Sequence, residues 1–512
     1  MQSVPANSPI RVAVIGAGCS GLAAAIRAID LASSAGRALE LRVFEAGPAV
    51  GGLVASQRIG DYFVERGADS FITNKSAGVA MCRRLRLESR LIPTDPRFRQ
   101  SFILSGGRPV PTPAGFQLIA PTRIKPFLKS PLLSWRGKKR VLAEPEIPRR
   151  TDTGEESVGA FVRRRFGNEA FDRVVQPLVG GIYTGDLDRL SLAATFPRFA
   201  QMERRVGSIL KALRRQRSAD TSGARYGLFV SLPGGMAELL DGMATEIRRD
   251  HYVLLNSRVD AMSRGPSGEW RLRVAGETLL FDAVIVALPA YHAAPLVAVL
   301  DAPLAESLDA IEYSSSAIVV SGHRLADVRH PLNGAGLVIP RVERRRILAV
   351  SFASRKFPGR APDGRVILRT FLGGALQLEQ LAHDDATLQK IVLEELGEIL
   401  GVQGTPDFCE VVRYPRGIPQ FVIGHLDRVA QIEAIVNELH GLALAGNAYH
   451  GVGIPDAIKS GVSAAEKVWA DMTGTAVPPF IETRDHDSIA THSPSGDDLA
   501  DSGHHSAAGL TQ

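Results

Sequence analysis

The stretch from Arg11 to Glu45 restricts the possible folds of this chain more than any other. Arg11-Val12-Ala13-Val14-Ile15 reads as a strand buried on both faces. Gly16-Ala17-Gly18-Cys19-Ser20-Gly21 follows directly, and Leu22 to Ala35 reads as a helix. A second strand, Leu39 to Phe44, runs into Glu45. Strand, glycine turn, helix, strand and closing acid make the full fingerprint of a dinucleotide-binding βαβ unit. Gly16 forms the tight turn, Gly18 lets the backbone approach a pyrophosphate, and Gly21 lets helix and strand pack closely. Cys19 and Ser20 open the helix, whose free N–H groups and partial positive charge face the phosphates. Glu45 lies 24 residues beyond Gly21, where a carboxylate can accept from both ribose hydroxyls. A GxGxxG turn alone is weak evidence and is equally a glycine-rich turn without a ligand. Its complete context here selects an adenine dinucleotide.

A chain of 512 residues, 45% hydrophobic and 22% charged, is sized for two or three ordinary globular domains. Its net charge of +6 favours anionic partners, whether nucleic acid, anionic lipid or a carboxylate-bearing substrate. Cys19, Cys82 and Cys409 show no paired spacing, which predicts a reducing cytoplasm, no disulfide and no metal site. Residues 1–9 resemble neither a signal nor a transit peptide, and no run of 18 apolar residues predicts a membrane span.

Between Arg97 and Arg150 the composition shifts to 12 Lys or Arg against Glu144 and Glu146. Phe116, Leu118, Ile119, Phe127, Leu128, Leu132, Leu133 and Trp135 are interleaved with these cations, and prolines break the stretch into short pieces. That pattern suits a membrane surface; the alternative is a solvated basic face over ordinary core residues. No recognition motif accompanies the charge, so nucleic acid is not expected. Val158 to Val179 reads as one helix with Arg163-Arg164-Arg165 outward and Phe161, Phe166 and Phe171 inward. Gln201 to Arg217 reads as a second, basic helix, followed by a loop at Ser218 to Arg225. Further buried strands are expected at Ala283 to Pro289 and Leu442 to Asn447, able to complete the first parallel sheet. Strands at Ala317–Ser321, Gly336–Ile339, Ile347–Phe352 and Val366–Leu372, with a helix at Asp385–Leu400, suggest an inserted antiparallel sheet. A glycine-rich turn from Gly451 leads into a last helix from Asp456 to Met472. The polar tail from Thr473, with its four histidines lacking ligand spacing, is expected to be disordered.

Several segments together resemble the oxygen-dependent protoporphyrinogen oxidase family, which includes the bacterial coproporphyrinogen oxidases. They are the fingerprint, Glu65-Arg66-Gly67-Ala68-Asp69-Ser70-Phe71, Gln176 to Gly185, and Leu232-Pro233-Gly234-Gly235-Met236; the adjacent Gly51-Gly52 with Leu53 after Ala46 is a feature of amine-oxidase superfamily flavoproteins. The most specific is Ala445-Gly446-Asn447-Ala448-Tyr449-His450-Gly451-Val452-Gly453-Ile454-Pro455-Asp456, which amine oxidases and carotenoid desaturases lack. The resemblance covers residues 11–472. It implies an α/β chain, α+β overall. A Rossmann-like FAD-binding domain would be assembled from 10–90, 226–300 and 405–472. A substrate domain would comprise 91–110 and 301–404, and a helical, basic, membrane-facing domain 111–217.

The resemblance also implies oxidation of a porphyrinogen by O2 with release of H2O2, in haem biosynthesis, and hand-off of the product to the next enzyme. Protoporphyrinogen IX and coproporphyrinogen III remain alternatives, since the cations at 97–150 serve either extra carboxylates or lipid. A flavin amine oxidase or carotenoid desaturase and a non-catalytic flavin or porphyrin carrier are the rival readings. FAD contacts are implied at Gly16, Gly18, Cys19, Ser20, Gly21, Glu45, Ala46, Gly51, Gly52, Leu53, Gly67, Ala68, Asp69, Ser70, Val259, Tyr414, Asn447, Gly453, Ile454 and Pro455. Substrate contacts are implied at Gly181, Val338 and Phe371, with Lys75 and Arg99 as candidate propionate partners. No catalytic side chain is assigned, because the flavin carries the hydride chemistry; His425 and His450 read as core or loop histidines. Two departures stand out: Ala49 occupies a position where relatives often carry Arg, and Ser101 precedes Phe102 where some relatives place Arg.

Overall fold

The computed structural model describes residues 8–152, 154–216 and 229–480. The loop expected at 218–225 and the tail beyond 480 lie outside the described residues. The first strand, Ile10–Ile15, is the centre of a five-stranded parallel sheet. Leu39–Phe44 and Ala283–Val286 flank it, in register at Val14↔Val43 and Val14↔Ile285. Tyr252–Leu254 and Leu442–Leu444 form the edges. Segments nearly 430 positions apart are thus joined in one sheet, as the apolar runs at 283–286 and 442–444 predict. The Ala-rich helix Cys19–Ser34 covers the sheet, and the last helix, Ile454–Thr473, packs along it.

A second, seven-stranded sheet has the order Phe408–Pro419, Tyr313–Arg324, Arg365–Gly373, Ala349–Phe352, Gly336–Val338, Ser101–Ser105, Arg108–Pro111. All its pairs are antiparallel except Gly336–Val338 with Ser101–Ser105, which joins the sheet from an earlier part of the chain. Phe408–Pro419 lies beyond the expected boundary at 405 yet pairs along its length with Tyr313–Arg324. The helix Asp385–Leu400 has the predicted bounds. Asp384 accepts the Thr387 N–H at 2.8 Å to start it, and Gly401 at φ 65° stops it.

The helical region differs from its sequence reading in instructive ways. Gly167, at φ 90°, interrupts the single helix expected over 158–179, and a π-turn spans Phe171–Val175. Gly207, at φ 77°, divides the second helix into Pro197–Val206 and Ile209–Gln216. Phe161, Phe166 and Phe171 do face inward. Arg165 was expected outside but is fully buried, with its Nε 2.8 Å from Glu144. The reason is local: Glu144 also accepts from Ile209 N at 2.9 Å and Leu210 N at 3.1 Å, capping the buried start of a helix. Arg165 neutralises that buried carboxylate. In the basic stretch, Phe127, Leu132 and Leu133 also turn inward, leaving Trp135 as the large apolar side chain exposed, at 66%. Lys138 is buried beside it, donating to Leu128 O at 2.9 Å. Among the described residues no helix is long and apolar enough to cross a membrane.

Candidate functional site

The fingerprint turn has the geometry its three glycines imply. Gly16 adopts φ 103°, open to glycine at little strain. A side-chain carbon on Gly21 would run into the Gly16 carbonyl oxygen, so this glycine sets the helix-to-strand distance. A carbon on Gly18, by contrast, would meet nothing within 4 Å. Gly18 bridges to Gly51, the Gly51 N–H donates to Ala17 O at 2.9 Å, and Gly52 faces Gly18. The two glycine pairs therefore share one side-chain-free surface. Glu45 lies at its edge, accepting from Ala17 N at 2.9 Å and Gly47 N at 2.8 Å. Ser257 N donates to Glu45 O at 2.7 Å, which brings the strand starting at Val259 beside this edge. Ala46 and Ala49 are exposed there, and Asn447 is half-buried at the end of the Leu442–Leu444 strand.

The last helix begins against the same turn. Cys19 Sγ is 3.9 Å from Ile454 O, and a carbon on Gly461 would strike Ser20 O. Gly446 N donates to Ser460 Oγ at 3.0 Å, fixing the preceding loop to this helix. Gly453 N bonds Asp456 Oδ2 at 3.3 Å, with Ile454 and Pro455 as the first helical residues. Lys75 does not stand free: its Nζ lies 2.7 Å from both Asp456 oxygens, tying it to this helix start. Burial pushes the Cys19 thiol up to about 12, so it is an inert packing group.

Leu53 carries the surface onward. Its carbonyl packs against Gly67, where a side-chain carbon would collide with it, and the Tyr414 hydroxyl donates to Arg66 O at 2.6 Å. Below this loop Asp69 Oδ2 takes Lys356 at 2.7 Å and Arg369 at 3.2 Å, while Arg369 also donates to Gly67 O. Ser70 donates to the other Asp69 oxygen at 2.7 Å. Burial works against the Asp69 anion, but the two cations outweigh it and hold its pKa far below the ordinary carboxylate value. Glu65 is shifted upward by burial, opposed by Ser56 and Arg360. Lys356, Arg360 and Arg369 were not anticipated. The available signal was a single Arg within the apolar run Val366–Leu372, which must find a buried partner.

Of the residues expected to meet substrate, Val338 and Phe371 lie on the neighbouring sheet, and Gly181 lies in the helix Gln176–Tyr183. Val338 and Phe371 are both directly opposite Ala349 on adjacent strands. Directly opposite residues project to the same face, so these three form one row with a small residue between two large ones. Phe371 packs in the same cluster as Tyr414, and Val338 packs against the helical core. Gly181 faces a small cavity of about 20 Å³ whose lining includes Thr184, Ile339, Leu348 and Gly373. Gly181 is exposed, and a carbon on it would meet nothing within 4 Å. Ala349 is the member of this row that the sequence pattern missed. Arg99 lies on the loop before Ser101–Ser105, its guanidinium 3.3 Å from Thr94 O. His450 pairs with Glu433 on the surface at 2.6 Å. His425 is buried, stacked on Phe421 with centroids 4.1 Å apart.

A dinucleotide cradle joined to a loop, a late helix and an apolar sheet face is the plan of a flavin-dependent oxidoreductase. Residues 19–469 match the flavin containing amine oxidoreductase family. The chain belongs to that family, within the branch of coproporphyrinogen III and protoporphyrinogen oxidases. The coproporphyrinogen III oxidase of Bacillus subtilis (strain 168) is 32% identical over 88% of this chain and 96% of its own length. The mitochondrial protoporphyrinogen oxidase of Nicotiana tabacum is 29% identical over 90% of this chain and 95% of its own. A crystal structure from Exiguobacterium sp. 255-15, described provisionally as a protoporphyrinogen oxidase, is 29% identical. It has a TM-score of 0.80 over 90% of this chain and 99% of that one. Cyclohexylamine oxidase from Brevibacterium oxydans, at 17% identity and a TM-score of 0.65, shares the fold. The cofactor is FAD, and the cradle fits it: Gly18 and Gly52 leave the pyrophosphate side clear, and Glu45 stands beside the turn.

Proposed function

We propose that this protein oxidises coproporphyrinogen III to coproporphyrin III with O2, releasing H2O2, in haem biosynthesis. Protoporphyrinogen IX is the competing substrate. The reading is supported by the bacterial relatives named coproporphyrinogen III oxidase, at 29–32% identity across 90–91% or 88% of this chain. The observation that carries it is one juxtaposition. Tyr414, bonded to Arg66 O beside Gly67, packs in one cluster with Phe371, which stands opposite Ala349 in the row with Val338. A porphyrinogen is an apolar macrocycle with anionic arms, and such a row offers it apolar faces.

Bound FAD supplies a two-electron acceptor for hydride from a bridging carbon and passes the electron pair to O2. Gly16, Gly18, Gly51 and Gly52 hold the pyrophosphate by backbone alone, since Ala49 brings no charge. Glu45 accepts from the ribose. The helix from Ile454 would help hold the flavin through the partial positive charge of its N-terminus. Val338 and Phe371 orient the macrocycle, Ala349 makes room between them, and the Gly181 carbonyl accepts a pyrrole N–H. Arg99 is the candidate partner for a carboxylate arm. Lys75 is the weaker one, because displacing Asp456 would disturb the helix start. The test is kcat/KM for purified enzyme on both porphyrinogens. Preference for coproporphyrinogen III supports the reading, and preference for protoporphyrinogen IX reverses it.

The finer reading of location is peripheral contact with an anionic membrane. Trp135 is exposed beside exposed Arg136 and Lys139, a single apolar anchor among cations. Trp135→Ala is expected to weaken cosedimentation with phosphatidylglycerol vesicles, and binding equal to the parent protein counts against it.

A further inference from the structure

The buried charges beneath the Gly67–Ser70 loop do not balance. Lys356, Arg360 and Arg369 are 10%, 3% and 3% exposed, and their ion-pair partners Glu65 and Asp69 are 4% and 14% exposed. Arg360 stands 3.5 Å from Glu65, while Lys356 and Arg369 share one oxygen of Asp69. Arg360 also faces Glu238, but Lys356 and Arg369 both pair with Asp69, two cations on one carboxylate. Arg369 shows the same imbalance atomically: its Nε is buried with no hydrogen-bond partner, while its other nitrogens hold Asp69 and Gly67 O. Buried charge is expensive unless compensated. Compensation from a neighbouring anion is therefore the economical reason for keeping it.

We propose that this excess positive charge is matched to the negative charge that FAD gains on reduction, making Lys356 and Arg369 positioning residues that set the flavin's reduction potential. The inference rests on the FAD reading of the site. A hydride carries two electrons and one proton, so its transfer leaves the neutral isoalloxazine with one added negative charge. The electron pair then leaves to O2, which takes up two protons to become H2O2. Arg369 acts at two points: through its hydrogen bond it fixes the Gly67 carbonyl, and through its charge it favours the reduced state. It lies two residues before Phe371 on the same strand, so cofactor loop and substrate row are built on one element.

The test is the midpoint potential of the purified holoenzyme, measured by dye equilibration without substrate, in variants of opposite charge sign. Lys356→Met removes a cation and is expected to shift the two-electron equilibrium at least tenfold toward oxidised flavin, about 30 mV more negative. Asp69→Asn, isosteric with the parent, removes an anion and is expected to shift it at least tenfold the other way. Lys356→Arg is expected to restore the parent value. A merely structural cluster would move both charge variants in the same direction or neither. Either result overturns the inference, as does the wrong sign in whichever single variant folds. A wild-type protein that neither carries nor takes up flavin defeats the FAD reading itself, a distinguishable failure.

Discussion

At Gly461 the last helix, Ile454–Thr473, lies against the backbone of the first, Cys19–Ser34, and replacing it by Ala tests that packing. In a solvent-facing helix, Gly→Ala stabilises by about 1 kcal/mol through helix propensity. Here the added carbon would strike Ser20 O and lie 2.9 Å from Ser20 C and 3.0 Å from Ala24 N, all backbone atoms of the first helix. Backbone cannot rotate away, so the last helix must lift. Overpacking of this kind costs about 1–3 kcal/mol. The strain falls on Ser20, next to Cys19, which meets Ile454 at the start of that helix in the proposed cofactor cradle. FAD affinity is therefore expected to fall by roughly 5- to 150-fold, at 1.4 kcal/mol per tenfold. Gly397→Ala is the control. It adds the same methyl to a helix, but the nearest atom, Val402 O, is 3.4 Å away. Thermal midpoint and FAD titration of the two apoproteins give the comparison. Indistinguishable behaviour of Gly461→Ala and Gly397→Ala would refute the packing argument.

Gly18→Val should fold with the thermal midpoint of the wild-type apoprotein, because Gly18 has extended backbone at φ −74°, ψ −178° and free space around its Cβ, yet emerge without bound flavin; a yellow protein after purification contradicts the cradle. Arg165→Met should destabilise by about 3–5 kcal/mol, since it leaves Glu144 charged and buried. Arg164→Met, which is partly solvated, should cost less in the same denaturation experiment, and the reverse order would count against the buried pair. Burial lowers the His323 imidazole from 6.5 to about 4. The unfolded chain therefore binds the extra proton between those values. The contribution of His323 is complete above pH 6.5 and declines as pH falls toward 4, by up to ~3 kcal/mol. Thermal midpoints at pH 7 and 4.5 should converge in His323→Gln relative to wild type; an equal drop in both proteins excludes His323 as the cause.

The cofactor half of the molecule was legible because its constraints are local. Gly16 and Gly21 each answer to a backbone requirement readable from spacing, and apolar runs at 283–286 and 442–444 betray strands buried on both faces. The helix Asp385–Leu400 carries its own start and stop signals in Asp384 and Gly401. What escaped reading depends on partners distant in sequence. Arg165 sits in a run of three arginines with nothing to mark it as internal, and only the capping demand met by Glu144, 21 residues earlier, turns it inward. Lys75 had the look of a free cation until the fold set Asp456 against it. Ala349 is an unremarkable small residue whose meaning comes from strand register. Phe127, Leu132 and Leu133 gave the basic stretch an amphipathic appearance because composition cannot distinguish an apolar face turned to lipid from one turned to a core.

Electron transfer from a porphyrinogen to FAD would take place where the first glycine turn meets the last helix. The direct measurement is the flavin absorbance of the purified holoenzyme under anaerobic conditions as coproporphyrinogen III is added. The expected result is loss of the flavin band near stoichiometric substrate, appearance of porphyrin absorbance, and recovery of the flavin band when O2 is admitted. A flavin band that persists through excess porphyrinogen, in protein that retains its FAD, would contradict it.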